Sequence, residues 1–458
     1  MSPRPNIIFF HVDNLGMGEL GCYGGGPLRG ADTRRIDEFA KSGLKLSHYV
    51  VEPQCTPTRS ALMTGRYPIR SGNHTIALGG NAGGIVQWER TMGDLLSEAG
   101  YATACYGKWH IGAEDGRWPT DHGFDEWYGP PRTYDECLWP EDPWYDGDRD
   151  GYAYMYEGRK GKGVRALTDQ QLTSELKRTV DVEYEQRAFD FIGRATADER
   201  PFFLYYNHSL MHFPMVPREE FQGRSDNGEW GDCLLELDHD FGRILDYLEQ
   251  HGLVDNTIVV FAGDNGPEDH MIGRGTAGFF DGSYFSSAEG GIRTPCLIRW
   301  PGHVPAGRDS VDMVHVTDMF TTLLDWADCD IPRDRLIDGV PQGDFFTGQA
   351  DTSNRDGCIV WLNDELHAVK WGQFKINFKR QQHFHDPELP LGFARITNLF
   401  EDPKEREPVN QRYVRWWVMQ HAQRIIREFE QSKDQEAVIP PGSQLDFVPQ
   451  NPEQAQQR

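Results

Sequence analysis

Six short apolar runs alternate with amphipathic helical patterns along this 458-residue chain. That alternation restricts the fold more than any other sequence feature. The runs, rich in β-branched and aromatic residues, are Asn6–Val12, Lys45–Val51, Tyr101–Tyr106, Phe202–Asn207, Thr257–Ala262 and Cys296–Trp300. They read as buried strands. Helical periodicity appears between or after them at Arg34–Lys41, Met92–Glu98, Val180–Ile192, Cys233–Gln250 and Asp318–Ala327. The rhythm predicts an α/β domain whose largely parallel sheet lies between helices.

Two stretches depart from the rhythm. Residues 126–158 are dense in Trp, Tyr, Pro, Gly and Asp and read as a long ordered loop inserted over the surface. Its aromatics are read first as packing and second as a pocket lining. After about residue 360 the pattern becomes a β-hairpin around Gly372 (367–371 and 374–379), a loop and a helix over 413–431. The expected organisation is therefore a catalytic domain over 1–360, a small α+β domain over 361–436 and an extended or frayed tail over 437–458.

The polar residues fall in a telling place. Asp13 and Asn14, Lys108 and His110, His208 and His212, and Asp264 and Asn265 each follow a predicted strand. Open α/β sheets bind ligands beyond the carboxyl ends of their strands. Polar residues begin every loop, but four such placements are harder to ascribe to turns than one. Asp13, Asn14, Asp264 and Asn265 offer only oxygen, which suits a hard cation such as calcium or magnesium. Taken singly, each Asp-Asn pair is equally a good turn former.

Cys55-Thr-Pro-Thr-Arg59 follows a strand and leads into a stretch that can open a helix. A helix N-terminus attracts anions, and Arg59 and Arg66 would add positive charge. Spacing alone leaves Cys55 between a low-pKa thiolate nucleophile and a buried thiol beside a proline.

Charge narrows the range of partners. The chain holds 46 Lys and Arg against 71 Asp and Glu, a net −25, which argues against nucleic acid and anionic membranes. An anion site must then be a local positive pocket. The first strand begins almost at the N-terminus, and no run approaches membrane-spanning length, so the chain as written reads as a soluble cytoplasmic protein. Eight cysteines, none in a CxxC pair, read mostly as reduced core thiols.

The segment Cys55-Thr-Pro-Thr-Arg59-Ser-Ala-Leu-Met-Thr-Gly65-Arg66 resembles the Cys-x-Pro-x-Arg signature of the type I, formylglycine-dependent sulfatases. Three further segments are similar to that family in the expected order. They are the N-terminal strand ending in Asp13-Asn14, the element Gly107-Lys108-Trp109-His110-Ile-Gly, and Gly263-Asp264-Asn265-Gly-Pro with Glu289-Gly-Gly-Ile-Arg293 after it. The resemblance covers roughly residues 5 to 300, and Asn398-Leu-Phe-Glu-Asp-Pro is similar to the family's small C-terminal domain.

The resemblance implies an alkaline-phosphatase-like α/β sandwich and a set of roles. Cys55 would be oxidised to formylglycine by a formylglycine-generating enzyme and hydrated to a geminal diol that attacks the sulfur of a small sulfate ester. Calcium would be held by Asp13, Asn14, Asp264 and Asn265. Arg59 and Lys108 would hold the diol, His110 would accept its proton, and His212 would protonate the leaving oxygen. His208 would be structural.

The sequence departs from the family twice. Its usual Asp-Asp pair is Asp13-Asn14 here, and its usual lysine before Glu289 is Tyr284. One change loses a negative charge and the other a positive, so compensation between them is an expectation. Two other readings belong to the same fold: a phosphonate monoester or phosphodiester hydrolase, and a catalytically inactive binding protein.

Overall fold

The computed structural model describes residues 4–450 apart from 77–82, 136–138, 144, 146, 148–152, 270–274 and 408–414. Its centre is a ten-stranded sheet. From one edge to the other the strands are Arg308–Ser310, Leu44–Leu46, Cys296–Arg299, Thr257–Gly263, Asn6–Val12, Phe202–His208, Ala102–Tyr106, Glu126–Gly129, Tyr154–Arg159 and Gly163–Gln171. The five consecutive strands from Thr257–Gly263 to Glu126–Gly129 run parallel, and antiparallel strands extend both sides.

Alternation along Asn6–Val12 explains the sandwich. Ile8, Phe10 and Val12 face one apolar layer and Ile7 and Phe9 the other, all with no exposed surface. The first layer packs Ile36 and Phe39 of helix Arg34–Lys41, together with helices Ser174–Ala197 and Gly228–Gln250. The second packs Leu62 of helix Cys55–Thr64, Leu96 of Met92–Glu98 and Leu323 of Val316–Trp326. Each fully buried Ile, Leu or Phe contributes about 1.5–3 kcal/mol of hydrophobic stabilisation. Local signals set the helix starts. Thr91 and Asp94 form a reciprocal capping box, and the Thr173 hydroxyl accepts from the Leu176 amide.

The predicted strands and helices are present, with instructive differences. The run over 45–51 is broken into Leu44–Leu46, inside the large sheet, and Tyr49–Val50, which pairs with Val314–His315. The stretch 126–158, expected as an ordered loop over the surface, has both its ends in the large sheet. It begins with Glu126–Gly129 and runs into Tyr154–Arg159, and both are strands of the large sheet. Trp127 and Tyr156 stack with Trp118, so these aromatics pack the sheet face.

The small domain is an antiparallel meander of Gly357–Leu362, Glu365–Trp371, Phe374–Arg380 and Leu389–Asn398, covered by helix Met419–Ser432. Its first strand straddles the expected boundary at 360. The predicted helix start at 413 lies outside the described residues. A buried charge cluster joins the two domains. Lys370 Nζ lies 2.7 Å from both carboxylate oxygens of Glu289, and Lys375 Nζ lies 3.4 Å from Glu289 and 3.0 Å from Glu405.

The tail is docked over its described part. Ile439 is buried and its amide donates to the Arg70 carbonyl, Gln87 N–H donates to the Leu445 carbonyl, and Arg117 donates to the Ser443 carbonyl. Seven cysteines are free thiols, and Cys137 lies outside the described residues. No described helix is long and apolar enough to cross a membrane.

Candidate active site

Four strand ends converge, as their order in the sheet requires. Strand Asn6–Val12 sits between Thr257–Gly263 and Phe202–His208, with Ala102–Tyr106 next. The residues just beyond them, Asp13 and Asn14, Asp264 and Asn265, and Lys108, meet at one edge. Gly107 makes the turn that delivers Lys108. Its φ is +95°, and a Cβ there would stand 2.0 Å from the Asn207 carbonyl oxygen.

Asp13 is the hub. Lys108 Nζ donates to its Oδ2 over 2.6 Å, and Arg59 Nη2 donates to the same oxygen over 3.2 Å and to Asp264 Oδ2 over 2.9 Å. The other arm of Arg59 is fixed by the Lys108 carbonyl and by Asn207 Oδ1. The Asn14 amide N–H donates to Asp264 Oδ1, Asn265 Nδ2 to Asn14 Oδ1 at 2.5 Å, and Asn14 Nδ2 to Glu268 Oε1 at 2.7 Å. All these residues are buried.

Burial would raise the Asp13 carboxyl, but Lys108, His212 and Arg59 outweigh it and hold it well below the usual range. Asp264 goes the other way. Burial and the charge of Asp13 push it up to about 7 despite Arg59 and Lys108. Glu268 rises to about 8, through burial first and then Asp135 and Asp13.

Cys55 is the first residue of helix Cys55–Thr64, and its Sγ lies 3.6 Å from the Tyr284 hydroxyl. Burial pushes its thiol up to about 11, and the charges of Lys108, Asp13, Asp264 and Arg59 all reach it. Burial in this way disfavours the thiolate form. Burial, reinforced by Lys108 and Arg59, keeps His110 neutral, and its Nδ1 has no partner. His212 lies at the same edge. Its Nε2 is 3.0 Å from Thr133 Oγ1 and 3.9 Å from Asp135, and its pKa is lowered by burial against the pull of Asp135 and Asp13.

The structure thus brings together Asp13, Asn14, Cys55, Arg59, Lys108, His110, His212, Asp264, Asn265 and Tyr284 of the residues singled out from the sequence. Arg66 is the exception among the supporting charges. It turns away to Glu89 and Glu436, which neutralise it elsewhere. His208 is held by Asp240 and Asp181 and stands apart from the cluster. Four residues at or flanking the site, Asn14, His110, Met211 and Phe285, adopt left-handed backbone with φ between 55° and 75°. Each such residue costs about 1–3 kcal/mol, strain that the surrounding packing must hold.

The donor set fits a hard divalent cation. Asp13 Oδ1 and Asn265 Oδ1 are buried oxygens with no hydrogen-bond partner. Such orphans are rare in native cores unless a ligand takes them. Two of the four donors are amides, and no group of three or more His, Cys, Asp or Glu side chains gathers in metal-binding geometry among the described residues.

Sequence reasoning passed over Glu268, which follows Asp264 by four residues. Its acidic neighbourhood was the available signal. It also passed over Asn207 and Thr133, which nothing in the local sequence marks. Beside the cluster a cavity of about 340 Å³ is lined by Thr56, His110, Asn73, Thr75, Glu114, Arg132, Pro441 and Gly442.

The ten-stranded sandwich with this cluster at its strand edge has the alkaline-phosphatase-like fold of the sulfatases. Residues 5–329 match the Sulfatase family model, and residues 275–429 match the model of the N-sulphoglucosamine sulphohydrolase C-terminal region. The chain belongs to the sulfatase family and is a sulfuric ester hydrolase. It is 36% identical over 392 residues to N-acetylgalactosamine-6-sulfatase of Canis lupus familiaris, covering 82% of this chain and 72% of the relative. It is 32% identical over 398 residues to arylsulfatase A of Homo sapiens, covering 83% and 76%. Among solved structures, the PsFucS1 sulfatase from Pseudoalteromonas sp. superposes with a TM-score of 0.89 at 28% identity, covering 96% of this chain and 92% of that one.

Proposed function

We propose that this chain is a calcium-dependent sulfatase whose residue 55 works as formylglycine, made by a maturation enzyme, and that its substrate is a carbohydrate sulfate ester. The observation that carries the reading is the Asp13 hub. One carboxylate oxygen is shared by Lys108 and Arg59, and the charges of all three reach the side chain of Cys55. Buried, preorganised charge of this kind is what transfer of a sulfuryl group needs.

Asp13, Asn14, Asp264 and Asn265 would hold the calcium ion, which supplies Lewis-acid polarisation of a sulfate oxygen when bound. Lys108 and Arg59 neutralise the carboxylates and present N–H donors to the anion. His110, kept neutral by its surroundings, accepts a proton at Nδ1, where it has no other partner. His212 faces the leaving-group side; its Nδ1–H is committed to the Phe213 carbonyl, so it donates from Nε2 to the departing alcohol oxygen only in its imidazolium form. Tyr284 donates its hydroxyl hydrogen into the same space.

The cavity beside His110 supports a sugar rather than a flat aryl group. Beside the apolar Ile76, Ile111 and Ala113, its side chains offer hydroxyl, amide, carboxylate and guanidinium groups, with no Phe, Tyr or Trp ring among the described lining residues. N-acetylgalactosamine-6-sulfatase among the relatives is consistent with a sulfated sugar.

The test is a panel of sugar sulfates, an aryl sulfate, a phosphate monoester and a phosphodiester, turned over with and without a calcium chelator. Chelator-sensitive hydrolysis of a sugar sulfate is expected. Preference for the phosphodiester, or indifference to chelation, would overturn the reading. The mass of the tryptic peptide bearing residue 55 gives the oxidation state independently.

A further inference from the structure

We infer that Glu268 is a positioning residue for the cation site, acting through Asn14: it fixes the direction of the Asn14 amide. The inference rests on the cation reading above.

The argument begins with Asn14. An amide side chain coordinates a cation only through its oxygen, and its NH₂ end would repel one. Rotation about the last side-chain bond exchanges the two ends. Something must therefore choose. Glu268 Oε1 accepts from Asn14 Nδ2 over 2.7 Å, which ties the NH₂ end to Glu268 and turns Oδ1 toward Asn265. Asn265 donates to that Oδ1 and to the Gly266 carbonyl, leaving its own Oδ1 unpartnered. Two amides are thereby set in one chain of hydrogen bonds whose anchor is the Glu268 carboxylate.

Burial gives the second line. Glu268 is 4% exposed and its Oε2 is buried with no hydrogen-bond partner, so the bond to Asn14 Nδ2 is what engages its carboxyl among the described residues. A buried polar group held by so few bonds is costly to keep for packing alone. Because Glu268 does not gather with Asp13 and Asp264 into a three-acid metal site, its influence passes through Asn14 rather than by direct ligation. Residues that orient metal ligands in this way typically govern affinity by about 10–100-fold.

The experiment is calorimetric titration of calcium chloride into the chelator-stripped full-length protein, comparing wild type, Glu268→Leu, Asn14→Asp, and the two substitutions combined. Glu268→Leu fills the space but removes the acceptor that holds the Asn14 NH₂ end, whereas Asn14→Asp offers oxygen at both ends and needs no such hold. We expect the calcium affinity of Glu268→Leu to fall about tenfold or more, and the same substitution to cost little in the Asn14→Asp background. Melting temperatures with and without calcium accompany each titration. Calcium should raise the melting point of Glu268→Leu less than that of wild type. An equal loss of affinity in both backgrounds would mark a residue needed only for packing and overturn the inference. Wild-type affinity in Glu268→Leu overturns this inference and leaves the cation reading standing. A wild-type protein that binds no calcium overturns both.

Discussion

Lys108 Nζ stands 2.6 Å from Asp13 Oδ2, and neither side chain is more than 2% exposed. A buried pair of this kind is costly to break from one side, because the remaining charge is stranded. Lys108→Met should therefore destabilise the calcium-free protein by about 3–5 kcal/mol in urea unfolding. Saturating calcium should recover part of that loss, since Asp13, left with Arg59 alone, would then face a second cation. Identical losses with and without calcium would show that the ion does not neighbour Asp13.

His212 offers a discriminating kinetic test. If its Nε2 protonates the leaving oxygen, His212→Ala should lower kcat on a sugar sulfate by about 10²–10⁴-fold. The loss on nitrophenyl sulfate should be far smaller, because nitrophenolate departs without a proton. Equal losses on both substrates would assign His212 to binding instead.

Tyr284 closes over residue 55, with its hydroxyl 3.6 Å from Cys55 Sγ. Tyr284→Phe removes one donor and keeps the ring. A drop in kcat of about tenfold or more with little change in KM is expected if that donor serves the transition state. Unchanged kcat would make the ring a pocket wall.

Glu52 provides a pH signature away from the chemistry. It is fully buried, and burial, with a contribution from Asp338, pushes its carboxyl up to about 8 from an ordinary 4.5. His315 faces it at 3.5 Å but is kept neutral, chiefly by its own burial. The folded chain thus keeps a proton on Glu52 that the unfolded chain has released, so stability falls as pH rises from about 4.5 to about 8. Glu52→Gln should remove that slope. It should stabilise the protein at pH 8.5 relative to wild type by about 1–3 kcal/mol, with little effect at pH 4.5. Urea midpoints at the two pH values measure it.

The sequence made the centre of this protein readable because burial on both faces leaves a strong pattern. Asn6–Val12 and Thr257–Gly263 are continuous apolar runs with polar residues at their carboxyl ends, and the sheet carries those ends to one place. Edges were harder to read. Glu126–Gly129 looks like loop in its setting of Gly, Pro and aromatics, and only its pairing with Ala102–Tyr106 and Tyr154–Arg159 makes it a strand. The docked tail has no periodicity to detect, since an extended segment bonds through its backbone. Arg66 was misjudged for a different reason. Proximity in sequence to Cys55 says nothing of which carboxylates, here Glu89 and Glu436, will claim its charge.

The cluster of Glu289, Lys370, Lys375 and Glu405 has a practical consequence. Cutting the chain near residue 360 would leave Glu289 on one fragment and both lysines on the other, each side exposing charges evolved for a dry interior. Neither piece is then a viable protein by itself. Scanning calorimetry of the intact enzyme should record a single melting event, with the meander and the great sheet lost in the same step.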